Sequence, residues 1–172
     1  MSATEKRLLL ERFARFELDR QALIYKLAGL TAAPLEWAQI VAAHAHEGQV
    51  DKAGLDYFDS HVLDVVRRIS ESDEDGRVVG YLHDVLEDST ISEELLRGDF
   101  AEHIVDAVVA ITHRLHEPRA DYYARVKANP LALRVKLADI VSNTDPDRMA
   151  LLDDETRARL TEKYRKALEA LT

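Results

Sequence analysis

The chain is 172 residues long, enough for one domain with a substantial core. Its 23 Lys and Arg against 32 Asp and Glu give a formal net charge of −9, which argues against a nucleic-acid polymer or an anionic membrane as partner. The absence of cysteine excludes disulfides, thiolate metal sites and a cysteine nucleophile, and only 6 Gly and 4 Pro favour helices over a turn-rich β fold. Met1 to Arg7 lacks a signal-peptide pattern, and no apolar run approaches the roughly 20 residues that cross a bilayer, so a soluble cytoplasmic protein is expected.

Taken in order, residues 4–30 read as a long amphipathic helix, with Leu8, Leu9, Phe13, Phe16, Leu23, Ile24 and Leu27 on one stripe. That stripe suits packing on its own domain or in a homodimer. Pro34 opens a second helix to about His46, and a polar loop runs from Gly48 to Gly54. Asp59 or Ser60 can cap a helix to about Ser70, which places His61 in a first turn, where the helix dipole keeps its ring neutral. After an acidic connector, Arg77 to Asp88 reads as a helix. Short helical runs follow from Ser92 to Arg97 and from a D-x-x-E start at Asp99 to about His113. Pro118 opens another helix, which stops before Asn129-Pro130. Leu131 to Val141 is apolar nearly all round, yet it carries Asp139 in its middle, and a last amphipathic helix runs from about Asp153 to Leu171. The expectation is an all-α bundle of seven to eight helices with no strand.

Read as a helix, Tyr81 to Asp88 places His83, Asp84, Glu87 and Asp88 within an arc of roughly 140°, opposite Leu82, Val85 and Leu86. Like charges at Asp84 and Asp88 destabilise a helix unless a cation sits on that face. An isolated carboxylate inside an apolar helix, as at Asp139, is costly unless it is paired or bound to metal. Lys136 or an arginine is the alternative partner for Asp139. Together His61, His83, Asp84 and Asp139 make a mixed nitrogen and oxygen ligand set. Such a set suits Mn²⁺, with Fe²⁺ or Zn²⁺ as alternatives, and leaves positions open for water and substrate.

The segments Ala43-His44-Ala45-His46-Glu47-Gly48-Gln49, Tyr57 with His61, Tyr81 to Asp88, and Val135-Lys136-Leu137-Ala138-Asp139 with Asn143 resemble the HD-domain superfamily of metal-dependent phosphohydrolases. The nearer likeness is to the hydrolase domain of RelA/SpoT-type ppGpp pyrophosphohydrolases and their small stand-alone relatives. The resemblance implies a single HD-type domain, with a core over residues 33–145, a C-terminal helix over 146–172, and residues 1–32 outside it. It implies metal binding by His61, His83, Asp84 and Asp139, with Glu87 and Asp88 beside the attacking water. It further implies that Lys52 and Asn143 contact a small phosphorylated nucleotide. No synthetase domain follows, so hydrolysis alone is implied, with a non-catalytic nucleotide- or metal-binding sensor as the alternative.

The chain departs from the family where phosphates and base are read. Asp51-Lys52 stands where the family has Arg-Lys, Val62 replaces a proline after the ligand histidine, and Ile111-Thr112-His113 replaces Val-Thr-Lys. The gap between Tyr57 and His61 is also one residue longer.

Overall fold

In the structure, a computed structural model that describes residues 33–172, the only β pairing is an isolated antiparallel bridge between Val50 and Asp56. The expected helix over 4–30 lies outside the described residues. Helix α1 (Pro34–Ala45) starts on its proline, as read from the sequence. The 48–56 loop turns at Gly48 and Gly54, both in the left-handed region. A π-helical turn, Phe58–Val62, then runs into α2 (Leu63–Arg67). Neither Asp59 nor Ser60 caps this element. It begins earlier, where Asp56 Oδ1 accepts the Asp59 N–H at 2.9 Å, so His61 lies past the first turn.

Helix α3 (Glu74–Leu82) starts within the expected acidic connector, because Asp73 caps it by accepting the Gly76 N–H. The expected continuous helix through Asp88 is broken at His83-Asp84, and α4 (Val85–Asp88) resumes after it. Helix α5 (Glu93–Asp99) is capped by Ser92 and runs through Gly98. Helix α6 (Glu102–Ile111) begins after Ala101 without a side-chain cap, so the expected D-x-x-E box is not used, and Asp99 instead closes α5. Helices α7 (Arg119–Ala128), α8 (Pro130–Asn143), α9 (Pro146–Ala150) and α10 (Asp154–Leu171) complete the fold.

Helix α8 is central and packs on α2, α3, α6, α7 and α10. Asn129 accepts the N–H groups of Leu131 and Ala132, and Pro130 fits the first turn. One side of α8 enters a core with Val65, Val79, Leu82, Val105 and Val108. Its opposite side, through Ile140, joins a second cluster with Tyr122, Val126, Leu160 and Tyr164. The helix is less completely buried than its apolar sequence suggests, since Val141 is 49% exposed. Burying such side chains contributes about 1.5–3 kcal/mol each before conformational entropy is counted, so the helices beside the polar centre are firmly held. At Gly80 a Cβ would lie 2.9 Å from Ile69 Cδ1 and 3.2 Å from Val66 Cγ2, so glycine sets how closely α3 approaches α2 just ahead of His83.

Candidate metal centre and pocket

Two local distortions aim the central side chains. Asp84 has φ −106° and ψ −3°, the bridge region between helix and strand where many active-site residues sit. The break turns His83 and Asp84 into the bundle, while α4 projects Glu87 and Asp88 toward solvent. The π turn spans the segment from Tyr57 to His61, and both face the same centre. The Tyr57 hydroxyl donates to Asp84 Oδ2 at 2.5 Å, and His61 faces Asp84, His83 and Asp139.

The four expected ligands converge. His83 Nε2 lies 2.9 Å from Asp84 Oδ2, 3.9 Å from Asp139 Oδ1 and 3.3 Å from His61 Nε2. His61 Nε2 lies 3.3 Å from Asp139 Oδ1 and 3.6 Å from Asp84 Oδ2. The other ring nitrogens face away. His83 Nδ1 donates to the Gly80 carbonyl at 2.8 Å, which fixes its tautomer, and His61 Nδ1 pairs with Ser142 Oγ at 3.2 Å. Both histidines are only 1% exposed. A pair of buried ring nitrogens turned toward each other needs either a proton or a cation between them. Neighbouring ligand atoms around a six-coordinate ion lie about 3 Å apart, and those of His61, His83 and Asp139 all lie within 4.8 Å of one another, so these three could hold a divalent metal, with Asp84 beside them.

Charge coupling in the cluster is strong. Burial opposes a charge on His83, but Asp84 and Asp139 outweigh it and raise its pKa to about 9. Burial likewise opposes ionised Asp84, yet the two imidazoles hold its pKa well below the ordinary value. Asp139 is also held below that value, by Lys136 and then the histidines against the burial penalty. Its partners are Lys136 Nζ at 2.7 Å on Oδ2 and Asn143 Nδ2 at 2.6 Å on Oδ1. Pairing with Lys136 and convergence on the histidines therefore occur together. Burial and the Asp84 carboxylate push the Tyr57 phenol far above its ordinary range, so it stays a donor.

A cavity of about 390 Å³ opens beside this cluster, bounded by Asp84, Glu87, Asp88, Asp139 and Asn143 on one side. That is the size of a small-molecule site. Glu87 Oε2 accepts the His113 N–H at 3.0 Å, and Asp88 Oδ2 accepts from Gln49 Nε2 at 3.3 Å. Gln49 Oε1 in turn takes the Nδ1–H of buried His46 at 2.7 Å, which leaves His46 Nε2 without a hydrogen-bond partner. Asn143 lines the cavity while its amide nitrogen is engaged by Asp139. Lys52 also lines it, on the exposed loop.

Other cavity residues escaped the sequence reading. Arg119, Arg148 and Lys163 come from α7, α9 and α10, and no short motif marks them. Asp51 faces inward. It accepts the Ala53 and Leu55 N–H groups, the Ser60 hydroxyl and Arg148 Nη2 at 2.9 Å. Arg148 thereby ties the Lys52 loop to α9. Tyr122 and Tyr123 both line the cavity, and Tyr122 is buried with its hydroxyl donating to the Ile111 carbonyl. His103 pairs with Asp75 at the surface, as expected of a solvent-facing histidine.

Comparison with known proteins bears on the fold. No protein-family model matches the chain. A curated relative, a GTP pyrophosphokinase of Myxococcus xanthus, is 36% identical over 80 residues, which are 44% of this chain and 10% of that protein. The chain thus spans about a tenth of that relative's length. Among solved structures, one described as a metazoan ortholog of SpoT that hydrolyzes ppGpp and plays a role in starvation responses matches with a TM-score of 0.67. The match covers 82% of this chain and 86% of that one, at 22% identity. The fold is therefore an all-α, HD-domain-like helical bundle, shared with that structure. No helix among the described residues is long and apolar enough to cross a membrane.

Proposed function

We propose that the chain is a metal-dependent phosphohydrolase that cleaves a phosphoester or pyrophosphate ester of a small nucleotide, with ppGpp-type alarmones as the first candidates. The observation that carries this reading is the meeting of His61, His83, Asp84 and Asp139 within 2.9–3.9 Å of neighbouring ligand atoms, at the floor of a nucleotide-sized cavity. Residues 33–145 serve as the HD core, and 146–172 close the cavity.

Those four residues hold the ion, for which Mn²⁺ suits the mixed nitrogen and oxygen donors, with Fe²⁺ and Zn²⁺ next. When bound, it supplies a Lewis acid and acidifies a water for attack at phosphorus. The Gly80 carbonyl and Ser142 orient the imidazoles, and Tyr57 orients the Asp84 carboxylate. Glu87 and Asp88, at the cavity edge, take the proton from the attacking water and return it to the leaving oxygen. Lys52 and Asn143 contact the substrate phosphates or sugar, and Arg119 and Lys163 add positive charge to the same cavity.

The test is turnover of a panel of ppGpp, nucleoside diphosphates, nucleoside monophosphates and an aryl phosphate, each with Mn²⁺ and with EDTA. Mn²⁺-dependent release of phosphate or pyrophosphate from a nucleotide supports the reading. Binding across the panel with no turnover refutes it and leaves a nucleotide sensor.

A further inference from the structure

Arg125 lies on α7, yet every one of its guanidinium nitrogens is engaged on the segment leading from α6 to α7. Nη1 donates to the carbonyls of Val109 at 2.6 Å and Ala110 at 2.8 Å, and Nη2 to that of Thr112 at 3.0 Å. These are among the carbonyls that the end of a helix leaves without partners. Nε and Nη2 also reach the Glu117 carboxylate, at 3.2 Å and 2.5–2.7 Å. Glu117 Oε2 accepts the Arg114 N–H at 3.1 Å, and its carbonyl accepts from His113 Nε2 at 3.1 Å. One side chain thus holds both ends of the 112–117 loop.

The loop needs holding. His116 adopts φ +62°, a left-handed conformation uncommon for a residue with a side chain. Its neighbour His113 supplies the backbone N–H bound to Glu87 Oε2. Glu87 is exposed, and a free glutamate side chain has about 1.5–2 kcal/mol of rotamer freedom, so the loop sets where its carboxylate points.

We propose that Arg125, clamped to Glu117 and the end of α6, is a positioning residue that fixes the His113 N–H and through it aims Glu87 into the cavity. The role rests on the proton-handling part assigned to Glu87 above. It needs the planar fork of arginine: a lysine keeps the charge beside Glu117 but cannot span three carbonyls and a carboxylate.

The experiment is a double-mutant cycle of Arg125→Lys with Glu87→Gln in the full chain with Mn²⁺, with thermal unfolding and bound metal measured on each variant. In the wild-type background Arg125→Lys is expected to lower kcat about tenfold and leave KM within about twofold, as small misplacements of a reacting group do. In the Glu87→Gln background it should cost nothing further, and metal content should stay at the wild-type level throughout. Equal losses in both backgrounds, or a change confined to KM, overturn the role while leaving the hydrolase reading intact. A wild-type protein that turns over nothing overturns the hydrolase reading and this role with it. Should Arg125→Lys fail to fold, Glu117→Gln takes its place in the cycle. Hydrogen exchange at the His113 amide is then expected to quicken about tenfold, and an unchanged rate overturns the clamp.

Discussion

Asp139→Asn is the perturbation whose outcome the structure defines most sharply. Both oxygens of Asp139 already have donors, Lys136 Nζ on Oδ2 and Asn143 Nδ2 on Oδ1. An asparagine there keeps the volume but must turn its NH₂ toward either the ammonium or the Asn143 amide, donor against donor. It also leaves the Lys136 charge without its carboxylate. Breaking a buried ion pair from one side costs about 3–5 kcal/mol. The lower end applies, because Lys136 keeps the Tyr122 ring, 5.7 Å from Nζ, and an open cavity on its other side. At about 2–4 °C per kcal/mol for a chain of this size, about 3 kcal/mol lowers the melting temperature by about 6–12 °C. The melts are run in EDTA, so that lost metal binding is not counted. Adding Lys136→Met should return about half of the deficit, since it removes the stranded charge. Elemental analysis after loading with Mn²⁺ should show the metal gone from Asp139→Asn. A variant that melts within about 2 °C of wild type and still holds a full complement of Mn²⁺ would refute the reasoning.

Three further outcomes follow from the same geometry. The pKa of His83 is raised from 6.5 to about 9, so its stabilising charge is fully present below pH 6.5 and is lost as pH rises through about 9. In EDTA the urea stability should therefore fall by about 3 kcal/mol from pH 6.5 to 9.5, and a flat profile would count against the cluster as described. Asp51→Ala removes the acceptor of two backbone N–H groups, the Ser60 hydroxyl and Arg148, and should cost about 3 kcal/mol in a urea melt while raising KM; wild-type stability would show that the Asp51 anchor carries no weight. Lys163→Ala should raise KM for the nucleotide about tenfold with kcat little changed, as expected for one lost charge-assisted contact, and an unaltered KM would remove Lys163 from the binding surface.

The legible parts of the sequence were those in which one residue has one available meaning. Pro34 opens a helix, Asn129-Pro130 ends one, and Asp139 in an apolar run has to find partners. What stayed hidden depended on backbone shape or on contacts far apart in the chain. A run such as Tyr81 to Asp88 has helical periodicity whether or not it breaks at Asp84, because the residues on either side of the break keep helical dihedrals. At the start of the helix carrying His61, periodicity does not choose between Asp56 and Asp59. Arg148 and Lys163 look like ordinary solvated cations in sequence. Only the packing of α9 and α10 over the cavity turns them inward. Asp51 reads in sequence only as an acidic loop residue. In the fold it has become an anchor that brings an arginine from α9 across to the same loop.

That exchange bears on how a chain of net charge −9 can take an anionic ligand. The overall field repels phosphate, so attraction has to be local. At the cavity floor a divalent ion, if held there, would reverse the sign set by Asp84 and Asp139. Along the wall, burial and the nearby charges of Lys136, Arg119 and Lys52 together lower the pKa of Lys163. Among the described residues, no carboxylate pairs with Lys52, Arg119 or Lys163. Burial and crowding by like charges hold Lys163 at a cost that an anion in the cavity would relieve. The neutralising group would then be supplied by an anionic ligand.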